Sequence, residues 1–179
     1  MTTLEHEAAE WVEPYWNAEH LRRTRAWVLE LDPDASEALR LAALTHDIER
    51  HFPGGPTQDL TKAPEEESDY RRLHAERSAS IVRDWLRGHG APEALSDDVA
   101  RLIRLHEVGG DPEADLLQAA DSLSFLEVNI DLPRKWAADG RCSVARGLDQ
   151  HRWMLERIRL DRARELAEPL HARVTRLAA

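Results

Sequence analysis

The stretch Leu39-Arg-Leu-Ala-Ala-Leu-Thr-His46-Asp47-Ile-Glu-Arg50 decides how the rest of the chain is read. Its first half is an apolar run with helical spacing, of the kind that packs into a core. It ends by placing an imidazole and a carboxylate side by side where apolar residues belong. Burying such a pair costs desolvation energy unless something compensates it. A divalent cation would, because neutral imidazole and ionised carboxylate are both good ligands for divalent transition metals. Both the architecture and the chemistry then turn on whether other elements bring further donors to that helix end.

Outward from this stretch the chain reads as helix after helix, with no sustained alternation of β-branched residues to suggest strands. Upstream, residues 4–12 suit a short leading helix stopped near Pro14. Asn17 is placed to cap a helix from about Ala18 to Leu31 that carries His20 in its first turn. Asp32-Pro33-Asp34 ends it, and the central helix is expected from about Ala35 to His51. Downstream, Phe52–Pro64 holds three prolines and two glycines, which excludes regular structure. A loop of that length is more often functional, such as a lid, than filler, and it begins close enough to Asp47 to hang over whatever that residue binds. Ser68 is placed to cap a helix from Asp69 to Arg87 that carries His74. The next helix starts at Pro92 or after Ser96, reaches His106-Glu107 and stops at Gly109-Gly110. Asp111-Pro112 reads as a cap and first-turn proline for a helix to about Ile130, which contains Leu116-Leu-Gln-Ala-Ala-Asp121-Ser-Leu-Ser-Phe-Leu126. Pro133 opens a short irregular piece. From about Ser143 to Leu177 helical spacing returns, with Pro169 expected to kink or divide it. This last part reads as structural, closing the bundle or offering a dimer surface, so a homodimer is an expected state. The whole is expected to be an all-α, single-domain helical bundle over residues 1–179.

Composition narrows the function. The net charge is −10, from 34 acidic and 24 basic residues, which argues against a nucleic-acid polymer or an anionic membrane as the main partner. A small anionic substrate remains compatible, because a metal and a few arginines can reverse the field in one pocket. No run approaches the roughly 20 apolar residues of a membrane span, and the acidic start Met-Thr-Thr-Leu-Glu-His-Glu lacks a signal-peptide core. A cytoplasmic location is the expectation. Cys142 is the only cysteine, so any metal must be held by His, Asp or Glu.

The candidate donors His20, His46, Asp47, His74, His106 and Asp121 fall on five expected helices, and bundles build metal sites by projecting ligands inward from several helices. Each has an ordinary alternative. His46-Asp47 could be an ion pair at a helix end, and His20 a surface residue of a first turn. His74 lies among Arg71, Arg72, Glu76 and Arg77, a solvent-like setting. His106 could answer a helix dipole, and Asp121 could be a hydrogen-bonded structural carboxylate. His6, His51, His89, His151 and His171 read as non-ligands, although His51 is near enough to bind substrate or pass a proton. The tryptophans at 11, 16, 27, 85, 136 and 153 are irregularly spaced and read as core and interface rather than a base-stacking platform.

The order His20 … His46-Asp47 … His74 … His106 … Asp121 resembles the HD-domain metal-dependent phosphohydrolase superfamily over about residues 17–130, which would leave residues 141–179 as a C-terminal helical extension. The two intervening histidines resemble its two-metal subset, which includes symmetrical diadenosine tetraphosphate hydrolases and cyclic-dinucleotide phosphodiesterases. The resemblance implies that His20, His46, Asp47 and Asp121 hold one divalent ion, and that Asp47 bridges to a second held by His74 and His106. Iron or manganese would suit such donors, with zinc, nickel or magnesium as alternatives. It implies hydrolysis of a nucleotide or other small phosphoester by metal-activated water, with Asp47 and Arg50 in catalytic roles. Arg50 would meet substrate phosphate, with His51 and Lys62, and more weakly Arg71 or Arg72, as further substrate-binding candidates. Departures also show. The Ile-Glu-Arg-His-Phe-Pro-Gly-Gly that follows the His-Asp pair lacks the Gly-Tyr-Pro of the cyclic-di-GMP enzymes and the Gly-His-Pro-Phe-Gly-His of the deoxynucleotide triphosphohydrolases, and Glu49 stands where glycine is common. A looser resemblance, strongest over Asp34–His46, is to an uncharacterised bacterial family whose members have lost the His-Asp pair. The same donor order also resembles the di-iron oxygenases of the superfamily, whose lysine-containing sequence after the fourth histidine is replaced here by Glu107-Val-Gly-Gly. A non-catalytic, metal-binding regulatory domain is the third reading.

Overall fold

A computed structural model describes residues 1–178. Among them lie nine α-helices and no strand: α1 (Thr3–Val12), α2 (Ala18–Leu31), α3 (Glu37–Thr45), α4 (Ser68–Gly88), α5 (Glu93–Leu105), α6 (Pro112–Val128), α7 (Leu132–Ala138), α8 (Val144–Glu156) and α9 (Asp161–Ala178). None is long and apolar enough to cross a membrane.

Helices α3 and α6 form the centre. Every residue of α3 from Leu41 to Thr45 is buried, and α6 is buried on all sides from Leu117 to Ser124. A helix that is apolar all round must be covered all round. Accordingly α3 packs on α1, α2 and α5, while α6 packs on α2, α8 and α9. Helix α4 lies along α5 and touches the turn that follows α3. The caps follow local chemistry: the Ser36 hydroxyl accepts from Leu39 N at 3.1 Å, and Asp111 accepts from Ala114 N at 2.9 Å ahead of Pro112. Thr2 and Glu5 close a reciprocal capping box at α1.

Several boundaries depart from expectation. The helix expected to reach His51 stops at Thr45, and residues 48–51 tighten into a 3-10 turn. In a continued α-helix the Ala43 carbonyl would take the amide of residue 47; here it takes His46 Nδ1–H at 3.1 Å. Neither Asn17 nor Ser68 caps as expected. Asn17 precedes α2 but spends its carbonyl on His51, and Ser68 is already inside α4, which Glu67 precedes without a side-chain cap. Pro133 does not open an irregular piece; it sits at the start of α7, where its missing N–H is harmless. The C-terminal part divides at residues 157–160, and Pro169 lies inside α9 without dividing it.

Helices α7 and α8 form a hairpin whose close contact depends on one glycine. A Cβ at Gly147 would meet Pro133 Cα at 2.6 Å. Alanine normally improves a helix interior by about 1 kcal/mol over glycine. Gly147→Ala is instead expected to lower stability by about 1–3 kcal/mol through overpacking, measured by urea denaturation.

Candidate metal centre

The five helices deliver the six donors to one place. His20 comes from the first turn of α2, His46 and Asp47 from the turn after α3, His74 from α4, His106 from the residue after α5, and Asp121 from the middle of α6. The four imidazoles form a chain of near neighbours, with ring centres 5.3 Å apart for His20–His46, 5.0 Å for His46–His106 and 5.6 Å for His106–His74. Three sets of donors each gather within 4.8 Å: His20, His46 and Asp121; His46, Asp47 and His106; His74, His106 and Glu107. Because His46 and His106 are shared, the sets form one continuous strip.

Hydrogen bonding around the rings sets what they offer. His46 Nδ1 faces the Ala43 carbonyl and His106 Nδ1 faces the Ile103 carbonyl at 2.7 Å. A carbonyl only accepts, so each Nδ1 carries the hydrogen and a neutral ring leaves its Nε2 lone pair pointing inward. Both Nε2 atoms are buried without a hydrogen-bond partner among the described residues, a condition that costs about 1–3 kcal/mol when nothing fills it. His20 follows the same logic. The Ser124 hydroxyl donates to the His20 carbonyl at 2.8 Å, so it accepts from His20 Nδ1–H at 2.9 Å. His20 Nε2 is left 3.1 Å from Asp121 Oδ1. His74 donates from Nδ1 to Glu49 Oε1 at 2.7 Å and brings Nε2 to 2.6 Å from Asp47 Oδ1. Two lone-pair atoms so close need a proton or a cation between them. At His74, burial and Arg50 oppose the charged ring, but Asp47 and Glu49 outweigh them and raise its pKa to about 9. Backing of each Nδ1 by a carbonyl, hydroxyl or carboxylate is how proteins orient imidazole ligands toward metals, so these residues fit a divalent cation.

The carboxylates are held ionised. Burial opposes the charge on Asp47, but Arg50 and His74 more than compensate and keep it well below the usual range. Burial likewise opposes Asp121, which Arg157 pulls well below the usual range. Glu107 is lowered to about 2 against its burial, chiefly by Arg157. Glu49, Glu107 and Arg157 are additions to the expected set. Glu49 was marked in the sequence only as a departure from glycine, and Glu107 only as the neighbour of His106. Arg157 carried no signal, since it lies in the part read as purely structural.

The strip opens into a cavity of about 500 Å³. Asp47, Glu107 and Asp121 face it together with Arg50, Arg71, Arg141 and Arg157, and Phe125, Leu132, Trp136 and Trp153 make an apolar wall. Trp16, Trp136 and Trp153 line the cavity as well; Trp136 is buried and Trp153 packs against the core, as read from the sequence, whereas Trp16 is exposed. Residues Gly55–Gln58 of the expected lid line it. That loop is pinned by Arg77, which donates to the carbonyls of Pro53 and Gly54, and by Glu67, which accepts from Gln58 and the Asp59 amide. Arg50 lines the cavity, its Nε donating to Asp47 Oδ2 at 2.8 Å and its Nη1 to the Tyr70 hydroxyl at 2.8 Å. His51 and Lys62 are not brought to it. His51 stacks on Tyr15 at 3.9 Å and donates to Asn17 Oδ1 at 2.6 Å. Lys62 borders a neighbouring depression, its ammonium 3.8 Å from Asp59. Arg72 is exposed beside Asp69.

The fold is similar to that of selenomethionine YpgQ of Bacillus subtilis, with a TM-score of 0.67 over 97% of this chain and 89% of that chain at 22% identity. No curated protein matches the chain. Residues 4–139 match the family described as "Domain of unknown function (DUF4202)". That span takes in all six expected donors and Glu107, ends before Arg157, and covers most of the sequence, so the chain belongs to the DUF4202 family.

Proposed function

We propose that this protein is a metal-dependent phosphohydrolase of the HD type, acting on a nucleotide or other small phosphoester. The observation that carries the reading is the inward aim of the His46 and His106 Nε2 atoms, buried and unpaired, between ionised carboxylates at the edge of an arginine-lined cavity. His20, His46, Asp47 and Asp121 would hold one divalent ion. His74 and His106, with Asp47 shared and Glu107 within reach, would hold a second. Such ions supply Lewis acidity and a water acidified to near neutral pH. The chain's own residues do the rest. Arg50, braced by Asp47 and Tyr70, is placed to bind a phosphate oxygen. Burial raises the Tyr70 phenol to about 12, so it stays a neutral bracing group at working pH. The apolar wall of Phe125, Trp136 and Trp153 would take the non-phosphate part of the substrate and exclude water. The arginines among the lining residues favour an anionic substrate over an uncharged polyol.

The test is elemental analysis of anaerobically purified protein joined to a panel of nucleotides and phosphoesters. Bound iron or manganese with phosphate release is expected. Oxygen consumption on an inositol or hydroxyphosphonate without phosphate release would replace this reading with the oxygenase. Full occupancy without turnover would leave a binding domain. In the same assays Arg50→Ala is expected to raise KM about tenfold or more, the worth of one charge-assisted hydrogen bond, with metal content unchanged. Metal loss in that variant would mean that Arg50 serves by holding Asp47.

A further inference from the structure

Arg157 follows α8, beyond the residues shared with the family, yet its side chain is only 6% exposed and reaches the donor strip. Its Nη1 donates to Glu107 Oε2 at 2.6 Å, its Nη2 to Asp121 Oδ2, and its Nε to Ser122 Oγ at 2.8 Å. One face of the guanidinium rests on Trp153, 4.7 Å from the ring centre. Arg157 thus bridges two carboxylates that belong to opposite ends of the strip: Asp121 shares a donor set with His20 and His46, and Glu107 with His74 and His106. Asp121 divides its oxygens, Oδ1 toward His20 and His46 and Oδ2 toward Arg157. A metal ion on this carboxylate and the guanidinium would draw on the same negative charge.

We propose that Arg157 is a built-in counter-cation of the metal centre: it ties Asp121 to Glu107 when no ion is bound, and is released toward the cavity as an anion ligand when a divalent cation takes those carboxylates. The inference rests on the metal centre proposed above. Two carboxylates held together without a cation would repel, and a buried arginine without them would be uncompensated, so each stabilises the other in the ion-free protein. A divalent ion on the oxygens that face the histidines weakens the bridge, because it draws on the same negative charge. The guanidinium already lines the cavity, and the Trp153 face gives it a surface on which to turn without returning to water. Ion binding would then strengthen anion binding, because the freed arginine adds to Arg50 at the cavity.

The linkage is measurable. Mn²⁺ affinity is compared by calorimetry for wild type, Arg157→Gln and Arg157→Lys, together with the melting temperature with and without Mn²⁺. Arg157→Gln is expected to bind Mn²⁺ at least tenfold more tightly, to melt lower without the ion, and to show a larger rise when it is added. Arg157→Lys keeps the charge but cannot bridge both carboxylates with a planar fork, so its affinity is expected to rise too. Wild-type affinity in the lysine variant would reduce the effect to diffuse electrostatics and overturn the exchange, as would equal or weaker binding by the glutamine variant. Should both variants fail to fold, the wild-type Arg157 Nε–H resonance decides. It is expected to move on addition of Zn²⁺ and again with methylphosphonate; an unmoved signal overturns the proposal. Absence of Mn²⁺ and Zn²⁺ binding by every protein would overturn the metal centre itself, which is a separate failure.

Discussion

Asp47→Ala is expected to abolish hydrolysis and strip bound metal. Asp47 stands between the two ends of the donor strip: Oδ1 lies 2.6 Å from His74 Nε2, Oδ2 accepts from Arg50 Nε, and the residue shares a donor set with His46 and His106. Alanine removes the one carboxylate able to serve both proposed ions. It also leaves the buried His74 ring and the Arg50 guanidinium without their common partner, which costs about 3–5 kcal/mol for a buried pair broken on one side. The expected loss of rate is about a thousandfold or more, because metal activation of water is removed altogether. Elemental analysis beside the assay checks it. Metal retained at wild-type stoichiometry would count against the assignment of Asp47 as a ligand, even if activity were gone.

Glu49→Gln is expected to weaken one ion while sparing the other. Glu49 is 2% exposed and accepts the Nδ1 hydrogen of His74 at 2.7 Å. An ionised acceptor behind an imidazole raises its basicity and locks its orientation, and loss of such a partner typically costs 10–100-fold in metal affinity. Glutamine keeps the shape and loses the charge. Titration with Mn²⁺ is therefore expected to show one tight equivalent, held through His20, His46, Asp47 and Asp121, and a second weakened by about 10–100-fold. Two undiminished equivalents would reduce Glu49 to a packing role. Its other oxygen lies close beneath Gly55, where a Cβ would come within 2.3 Å. The loop therefore passes close over Glu49, and a side chain at position 55 would press on that oxygen.

These residues also show why some of the site could be read in the sequence and some could not. Three of the donors are legible because each is a polar intrusion at the end or middle of an apolar helix, and burial of such a group demands compensation. His46 after Leu39–Leu44, His106 after Leu102–Leu105 and Asp121 inside Leu116–Leu126 all break a pattern set by their neighbours. His74 sits in a charged run and does not break one, yet the structure buries it completely, because α4 turns that face toward α5 and the turn after α3. Lys62 and His51 were attractive only by proximity along the chain, and proximity along a loop says little about which way a side chain points. Arg157 was illegible for the opposite reason. It is 36 residues from Asp121 in sequence, within a stretch rich in arginine, and nothing local separates its guanidinium, or that of buried Arg146, from their solvated neighbours.

Local chemistry determined the helices, for the spacing of apolar residues and the caps at Ser36 and Asp111 act within a few residues of one another. It also determined that α3 and α6 carry groups that could not be buried alone. Only the tertiary structure decided which lone pairs face which carboxylates. It also decided that a guanidinium from beyond the family's span joins them, because the direction of a side chain across a bundle is set by packing between helices distant in sequence. Ring tautomers belong to the same class: the Ala43 and Ile103 carbonyls, where α3 and α5 end, aim His46 and His106 inward.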